Sequence, residues 1–406
     1  MVYKLRLLLI IPHLGGGGAE KVTSLLAQYL SRDRYELHLA LVTELDAWSH
    51  RLPASIHVHP LGAPRVRNAV LPLLRLVWKL GPNVILSGMA HLNFLVLLLG
   101  PFFPRGTRIL VRQNSTISAS TAIPGRPLLT HLFYRLLYPR ADRVICQSHA
   151  MAEDLRKEIG VSPDQIAVLP NPVDTAGIHS AASTPSQWTG EGPHLLGVGR
   201  LSREKGFDLL LEALASLRSH FPHADLILAG AGPEEERLKA QCQTLGLEKA
   251  VRFAGRVDPP YALFPGASAF VLPSRHEGMP NALIEAAVGG LPIVALPCSG
   301  GVVDLLRVTR GAWLAPEASS SALAATLTDA LQTLRSGERF DRSKPTDLAP
   351  KDPTPSDPAI TDIFPMDTAS EHGSGELEGC AGQFQFARAI ECYEALIDQT
   401  CAAEQV

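Results

Sequence analysis

The chain has 406 residues, 46% hydrophobic and 19% charged, which suits two or three folded domains and excludes a disordered protein. Residues 1–174 hold 19 Lys/Arg and 11 Asp/Glu, a balance of +8, and the remainder holds 18 against 29, a balance of −11. We expect no nucleic-acid partner. The asymmetry indicates either uneven surface composition or a basic front half that meets an anionic partner.

Neither the cysteines nor the apolar runs indicate an exported or membrane-spanning protein. The six cysteines are scattered without a C-x-x-C pair, as is typical of a reducing compartment without a zinc site or disulfide framework. The apolar runs 7–11 and 92–103 are too short to span about 30 Å of hydrocarbon. We expect a cytoplasmic protein, with peripheral contact at the inner face of the cytoplasmic membrane left open.

In chain order, the first predicted elements are a strand (LRLLLIIP), a glycine turn (GGGGAE), a helix (KVTSLLAQYL) and a strand (YELHLALVT). This succession is a βαβ unit and predicts a parallel sheet. NVILSGM, RILVRQ and RVICQS predict further strands, and MAEDLRKEI predicts a helix. Residues 1–175 are therefore expected to form one Rossmann-like domain.

A second series of strands and helices predicts another domain of the same kind. Residues 176–192 are small, polar and turn-rich, which predicts an interdomain linker. Residues 193–336 alternate strands such as HLLGVGR, ADLILAG and AFVLPS with helices. The fold class is thus α/β, with two doubly wound parallel sheets whose ligand-binding strand ends are expected to face one cleft.

The last seventy residues change character twice. Residues 337–383 are rich in Pro, Asp and Thr, which predicts a mobile, low-complexity insertion without a core. Residues 384–400 again have helical periodicity. The stripe of Phe386, Ile390, Tyr393 and Ile397 predicts a helix that docks on another surface.

Three clusters carry candidate chemistry, and the first is the glycine run 15–18 between a strand and a helix. Glycines there let backbone N–H groups approach an anion at the helix N-terminus. The run departs from G-x-G-x-x-G because Glu20 stands where the third glycine belongs. A phosphate-contacting turn and a purely structural tight turn both remain open.

The second cluster is GVGRLSREKGFDLL, where Arg200 follows a predicted strand and Lys205 precedes a predicted helix. Two cations at one sheet edge suit a diphosphate, with the arginine making a forked contact and the lysine acting as a point charge. The alternative for this cluster alone is a solvated basic loop.

The third cluster is SRHEGMPNALIEAAVGG, which places two acids around the start of a helix. Glu277 lies in the loop after a strand, Pro280 suits the first helical position, and Glu285 lies a little over one turn into the helix. Carboxylates recognise paired hydroxyls and helix N–H groups suit an anion, so a sugar linked to phosphates would use both. Acids that merely stabilise a helix dipole are the alternative.

These motifs together resemble retaining family-four glycosyltransferases of GT-B fold. The resemblance rests on Glu277-x7-Glu285, on GRLSREKG upstream and on IPHLGGGGAEK near the start, with GAGPEEERL, VRFAG and LPNPVD between them. It covers the chain except residues 337–383. It implies that the C-terminal helix crosses back to the first domain.

The resemblance also implies roles for individual residues. Arg200 and Lys205 would hold the donor diphosphate, and Glu285 would bind the ribose hydroxyls. Glu277 would contact the transferred hexose, helped by the backbone of Gly278, Met279, Pro280 and Asn281. In the first domain, Gly16 and Gly17 would lie near the phosphates, and His91 would lie near the reacting face of the sugar. Arg112 and Asn114 are further candidates for that cleft.

The implied reaction transfers a hexose from a nucleoside diphosphate sugar, with UDP favoured over GDP, to a glycan or lipid-linked acceptor. The anomeric configuration would be retained by front-face displacement, as part of cell-surface polysaccharide or glycolipid synthesis. Without an Asp-x-Asp motif at a strand end, we expect no metal and no cofactor beyond the donor. A sugar-nucleotide epimerase, an inverting transferase and an NAD-dependent oxidoreductase remain the alternatives, as does a degenerate binding module.

The acceptor side carries one further hypothesis. Residues 65–80, RVRNAVLPLLRLVWKL, are both basic and apolar at near-helical spacing. This pattern indicates either an interfacial face that reaches a lipid-linked acceptor or a core helix whose Arg and Lys side chains reach solvent.

Overall fold

The computed structural model describes residues 4–15, 17–44, 52–118, 127–309, 311–336 and 386–402. The chain divides into two compact units. Unit 1 comprises Met1–Pro172 with Phe386–Val406, and unit 2 comprises Val173–Gln385.

Unit 1 contains a seven-stranded parallel sheet in the order β3-β2-β1-β4-β5-β6-β7. The strands are β1 (Leu5–Ile11), β2 (Tyr35–Leu41), β3 (His57–Pro60), β4 (Val84–Ser87), β5 (Arg108–Arg112), β6 (Arg143–Cys146) and β7 (Ile166–Val168). The helices of its first segment are α1 (Gly18–Tyr29), α2 (Val70–Leu80), α3 (Ala90–Leu99), α4 (Pro127–Leu137) and α5 (His149–Ile159).

Strand β1 shows why this sheet is buried on both faces. Leu8 and Ile10 belong to the core beneath α2, α3, α4 and α5, whereas Leu7 and Leu9 belong to the core beneath α1. Successive side chains of a strand point to opposite faces, so a continuous apolar run supplies both cores. The short edge strands β3 and β7 lack such a run and were not predicted.

Unit 2 contains a six-stranded parallel sheet in the order β10-β9-β8-β11-β12-β13. The strands are β8 (His194–Val198), β9 (Asp225–Ala229), β10 (Val251–Gly255), β11 (Ala269–Leu272), β12 (Ile293–Ala295) and β13 (Ala312–Leu314). The helices are α6 (Thr175–Ala181), α7 (Phe207–Leu217), α8 (Glu235–Thr244), α9 (Asn281–Val288), α10 (Gly300–Val308) and α11 (Ser320–Arg335). The prediction of two α/β units with doubly wound parallel sheets is confirmed.

The first part of the segment predicted as a linker, 176–192, is helical. Helix α6 occupies Thr175–Ala181, and the units divide between Pro172 and Val173. The helix is fixed by Asp174, whose carboxylate accepts hydrogen bonds from Gly177 N at 2.9 Å and from Tyr261 Oη at 2.7 Å. A short helix stabilised by one distant tyrosine leaves no periodicity in the sequence, so composition alone indicated a linker. The predicted insertion 337–383 lies outside the described residues.

The final helix, α12 (Phe386–Ala402), packs on unit 1. Ile390, Tyr393 and Ile397 of the predicted stripe are buried in the same core as α1. The side chain of Phe386 lies outside the described part. Glu394 accepts hydrogen bonds from Ser31 N at 2.7 Å and from Arg34 Nη1 at 2.8 Å. Apolar contact and a charged clamp together hold this helix on unit 1.

Replacing Tyr393 by phenylalanine is expected to lower the free energy of unfolding by about 1 kcal/mol. The hydroxyl accepts a hydrogen bond from Arg112 Nε at 3.3 Å, and both side chains are buried, so the guanidinium loses a partner that water cannot replace. Urea denaturation measures the difference. Tyr393→Ala is the comparison, because it also removes the packed ring and should cost roughly 3–5 kcal/mol. A phenylalanine variant as stable as the parent would show that the hydroxyl is dispensable.

Candidate functional site

The candidate site of unit 2 lies where the direction of its sheet connections changes. The chain passes from β8 to β9 on one side and later returns to place β11 on the other side of β8. Ligands bind at such points in doubly wound folds, because the segments leaving two neighbouring strands diverge there. Arg200 and Lys205 follow β8, and Glu277 follows β11. The fold therefore carries these three predicted residues on the ends of two adjacent parallel strands.

Lys205 and Glu277 form the centre of this site. Lys205 Nζ donates to Glu277 Oε1 at 2.6 Å, and the hydroxyl of Ser274 donates to the same oxygen at 2.7 Å. The Glu277 side chain is only 9% exposed and that of Lys205 is 24% exposed. Burial raises the pKa of the nearby Cys298 thiol to about 12, with the Glu277 carboxylate adding to the effect, so this cysteine is a neutral neighbour and not a nucleophile.

A tight turn with a glycine sets the position of Lys205. The residue ends the short turn Arg203–Lys205, and Gly206 follows in the left-handed conformation at φ +66°. A Cβ atom at Gly206 would lie 1.9 Å from the carbonyl oxygen of Pro273, which follows β11. Only glycine allows the two strand-end segments to approach this closely.

Arg275 ties the same two segments together. Its guanidinium donates to both carboxylate oxygens of Asp208, at 2.7 and 2.8 Å, and to the carbonyl oxygen of Arg203 at 3.0 Å. Its backbone N–H donates to the carbonyl oxygen of Glu204 at 2.8 Å. Sequence reasoning missed Arg275, Asp208 and the hydroxyl of Ser274, since a single charge or hydroxyl in a loop gives no signal until its partner is known.

Arg200 is the cation of this site that remains available to a ligand. Its side chain is exposed and makes no hydrogen bond or ion pair with any residue that the structure describes. The aliphatic part of the Lys205 side chain passes Gly199, the residue before Arg200, since its Cδ lies 3.7 Å from where a Cβ of Gly199 would be. The two cations therefore come from one segment after β8, which suits a forked and a point-charge contact to one diphosphate.

Glu285 lies in α9, which begins one residue later than predicted. The helix starts at Asn281, and Pro280 precedes it in an extended conformation instead of filling the first helical position. The Glu285 side chain is buried at 2% exposure. Burial raises the pKa of Tyr261, and the neighbouring Asp174 and Glu285 carboxylates add to this shift, which places Glu285 in the surroundings of that tyrosine.

The loop before α9 joins the Glu277 carboxylate to the helix. Gly278, Met279 and Pro280 connect the two, and Ser299 Oγ donates to the carbonyl oxygen of Gly278 at 3.4 Å. The N-terminus of α9 favours an anion through its backbone dipoles. The loop thus places a carboxylate and a helix N-terminus close together along the chain.

Unit 1 has its own point of changing direction, between β1 and β4. Gly17 immediately precedes α1, and His91 lies in the first turn of α3 after β4. Desolvation lowers the pKa of His91, and the nearby His13 lowers it further while Glu20 opposes the shift. His13 and Glu20 are thus neighbours that sequence reasoning did not assign to a site. Gly16 lies outside the described residues.

Arg112 and Asn114, predicted as candidate cleft residues, take part in a hydrogen-bond network of unit 1 in which Arg112 is buried and Asn114 is half-buried. Arg112 is 4% exposed and donates to Asn114, Asn171 and Tyr393. Asn114 donates in turn to the carbonyl oxygen of Gly88. A buried guanidinium satisfied by three side chains supports the fold at this strand end.

Among the described residues, no group of three or more His, Cys, Asp or Glu side chains has an arrangement that could hold a metal ion. In this same part of the chain, every helix is too short or too polar to cross a bilayer.

Comparisons with known proteins define the class of enzyme. Residues 16–176 match the model of Glycosyltransferase Family 4, and residues 182–345 match that of Glycosyl transferases group 1. The chain belongs to the family-four glycosyltransferases, and its two units are those of the GT-B fold.

Individual relatives and solved structures agree with this family. The chain is 29% identical over 308 residues to the N-acetylgalactosamine-N,N'-diacetylbacillosaminyl-diphospho-undecaprenol 4-alpha-N-acetylgalactosaminyltransferase of Campylobacter jejuni, covering 73% of this chain and 82% of that protein. It is 30% identical to the lipopolysaccharide core biosynthesis glycosyltransferase LpsE of Rhizobium meliloti over 41% of this chain and 47% of that protein. The structure of Anabaena Alr3699/HepE in complex with UDP and glucose superposes with a TM-score of 0.74 at 19% identity, covering 97% and 100% of the chains.

Proposed function

We propose that this glycosyltransferase transfers a hexose from a UDP-sugar to a glycan or lipid-linked acceptor with retention of anomeric configuration, in the synthesis of a cell-surface polysaccharide or glycolipid. Two relatives support the choice of substrates. The Campylobacter enzyme is named for a diphospho-undecaprenol acceptor, and the HepE structure contains UDP and glucose.

The observation that carries the proposal is the Lys205–Glu277 ion pair at the ends of β8 and β11, with the exposed side chain of Arg200 in the same segment after β8. A diphosphate offers both cations a multiply charged partner. If a donor phosphate attracts the Lys205 ammonium away from Glu277, the Glu277 carboxylate keeps its hydrogen bond from Ser274 and can accept hydrogen bonds from the hexose hydroxyls. We assign the ribose hydroxyls to Glu285 and the sugar-phosphate junction to the backbone of Gly278, Met279, Pro280 and Asn281.

The proposed chemistry needs no protein nucleophile. The acceptor oxygen forms a bond to the anomeric carbon on the face from which the diphosphate departs, the carbon–oxygen bond to the diphosphate breaks, and the acceptor proton passes to a departing phosphate oxygen. Arg200 and Lys205 stabilise the charge that develops on that diphosphate. In unit 1, we assign Gly17 to the phosphates and His91 to the reacting hexose, as the family resemblance implies.

The experiment that tests this proposal is a donor screen read by mass spectrometry. We expect release of UDP, and transfer of hexose to a lipid-linked or glycan acceptor, from one of a panel of UDP-sugars, with GDP-sugars inactive. Proton NMR of the product, beside the donor, reads the anomeric configuration, and an inverted product would overturn retention. Conversion of a UDP-sugar to its epimer, or turnover that requires NAD, would instead support the alternative enzyme classes.

The same assay tests independence of metal ions. We expect the rate to be unchanged after exhaustive treatment with EDTA, because the two cations Arg200 and Lys205 would supply the charge that a divalent ion supplies to a diphosphate. A rate that falls with EDTA and recovers with Mg²⁺ or Mn²⁺ would contradict this part of the proposal. A matched treatment with the calcium complex of EDTA controls for effects of the chelator itself.

A further inference from the structure

Large apolar side chains are exposed on one part of unit 1. Of the ten large hydrophobic side chains that are exposed in the described residues, nine lie on α2, on α3 and the turn after it, or on α4. We call these nine the α2–α4 surface: Leu71, Trp78, Leu98, Phe102, Leu128, Leu129, Leu132, Phe133 and Leu136. Single exposed hydrophobic residues need no explanation, but a group on neighbouring helices marks an interaction site.

Side-chain contacts join the three helices into one surface. Trp78 Nε1 of α2 donates to the carbonyl oxygen of Phe102 at 2.9 Å, just beyond α3. Phe94 of α3 lies 5.7 Å, between ring centroids, from Phe133 of α4. All three helices cover the same face of the sheet, because their buried residues share one core, whereas α1 and α12 cover the other face.

The solvent-exposed side chains of α4 and α2 offer apolar contact area. On α4, Leu128, Leu132 and Leu136 recur every four residues and are 86%, 47% and 55% exposed, so they form one outward stripe. Trp78 is 63% exposed, and its only polar atom is already paired, so the outward part of the indole is apolar.

The three helices of this surface carry Lys, Arg and His side chains and no carboxylate, and Glu158 of the neighbouring α5 lies 4.0 Å from His131 of α4. Between Asp46 and Asp142 the sequence contains no Asp or Glu but eleven Lys and Arg residues. On α2, Arg75 and Lys79 are exposed beside Leu71 and Trp78, and on and after α4, Arg135 and Arg140 are exposed. An apolar stripe flanked by basic side chains is the pattern of a helix that lies in the headgroup region of an anionic bilayer.

The same charge argues against a second copy of this chain as the occupant. A two-fold contact through the α2–α4 surface would bring the cations of one copy against those of the other, with no carboxylate from residues 47–141 to neutralise them. We propose that the α2–α4 surface docks on a membrane that contains anionic phospholipid, and that this is a bilayer contact made by three helices and not by residues 65–80 alone.

Vesicle flotation with the whole chain tests the inference, without donor or acceptor, so its result is independent of the transferase reaction. The protein should float with vesicles of phosphatidylglycerol and phosphatidylcholine at low salt and should remain behind with phosphatidylcholine alone. Raising the salt concentration should weaken the binding, because the attraction of exposed cations to anionic lipid is screened.

Two sets of variants locate the contact. L71S/L132S removes outward leucines from α2 and α4, and R75E/K79E reverses two charges. Each basic residue near an anionic surface contributes about fivefold to the binding constant. Because the charge variant loses two such residues, it should bind at least about 25-fold more weakly than the parent. The matched controls are Tyr29→Ser, on the opposite face of the sheet, and K249E/R252E, on unit 2, and both should bind like the parent.

The outcomes separate the occupants. Binding that is lost in both surface variants and kept in both controls supports the inference, provided that circular dichroism shows the variants folded. Failure to bind anionic vesicles at low salt overturns it, and so does binding that survives both surface variants. A dimer in sedimentation velocity that dissociates in L71S/L132S would identify a second copy as the occupant instead.

Discussion

Replacing Lys205 by alanine is expected to lower kcat/KM by about 10²–10³-fold, the range seen when one preorganised donor to a developing negative charge is removed. The lysine lies in the segment after β8 that also carries Arg200, and its Nζ is 2.6 Å from Glu277 Oε1, so both the diphosphate charge and the placement of the carboxylate depend on it. Steady-state kinetics with the donor identified by the screen measures the change.

Lys239→Ala is the matched control for this experiment. Lys239 is also an ion-paired lysine of unit 2, at 2.9 Å from Glu235 and Glu236, but its pairs lie on the solvent side of α8. Such solvent-exposed pairs contribute little to stability, and we expect kcat/KM of this variant to equal that of the parent. Equal kinetics of Lys205→Ala and the parent would remove Lys205 from the reaction and with it the main support for the proposed site.

Titration calorimetry with UDP divides the Lys205 effect between binding and chemistry. If the lysine holds the diphosphate in the ground state as well as in the transition state, its loss weakens UDP binding and lowers kcat together. An unchanged affinity for UDP with a reduced kcat would indicate an interaction made only as the diphosphate leaves. Both results keep Lys205 in the site, and they assign it different roles.

The sheets could be predicted from the sequence wherever a strand is buried on both faces. Continuous apolar runs at β1, β8 and β11 fixed these strands, and the alternation with helices fixed the parallel direction. The short edge strands β3, β7 and β13 carry three or four residues each and no such run. Their place depends on pairing with a neighbouring strand, which a single sequence does not display.

The site residues that could be predicted are likewise those that follow a strand recognisable in the sequence. Arg200, Lys205 and Glu277 were identified because they follow strong strands and because strand ends of a parallel sheet share an edge. Arg275 and Asp208 could not be identified, since they are 67 residues apart and their bidentate contact exists only after the two strand ends meet. The contact of Arg112 with Tyr393 could not be identified for a related reason, because Tyr393 comes from the C-terminal helix.

Gly206 is the position where the fold and the site depend on one another most directly, and Gly206→Ala is expected to lower the free energy of unfolding by about 2–5 kcal/mol. Part of this cost is the left-handed backbone at φ +66°, about 1–2 kcal/mol for a residue with a Cβ. The rest comes from the 1.9 Å approach to the carbonyl oxygen of Pro273, which forces the start of α7 or the end of β11 to move.

Gly246→Ala separates these two contributions. Gly246 has φ +65°, nearly the same as Gly206, but a Cβ there would meet no atom within 4 Å. It should therefore show the backbone cost alone, and urea denaturation of the two variants side by side should reveal a larger loss for Gly206→Ala. Only the Gly206 variant should also lose transferase activity, because the displaced turn carries Lys205. Equal losses of stability would mean that the segments after β8 and β11 can move apart without a cost in free energy. The close approach of these segments would then not explain the position of Lys205 beside Glu277.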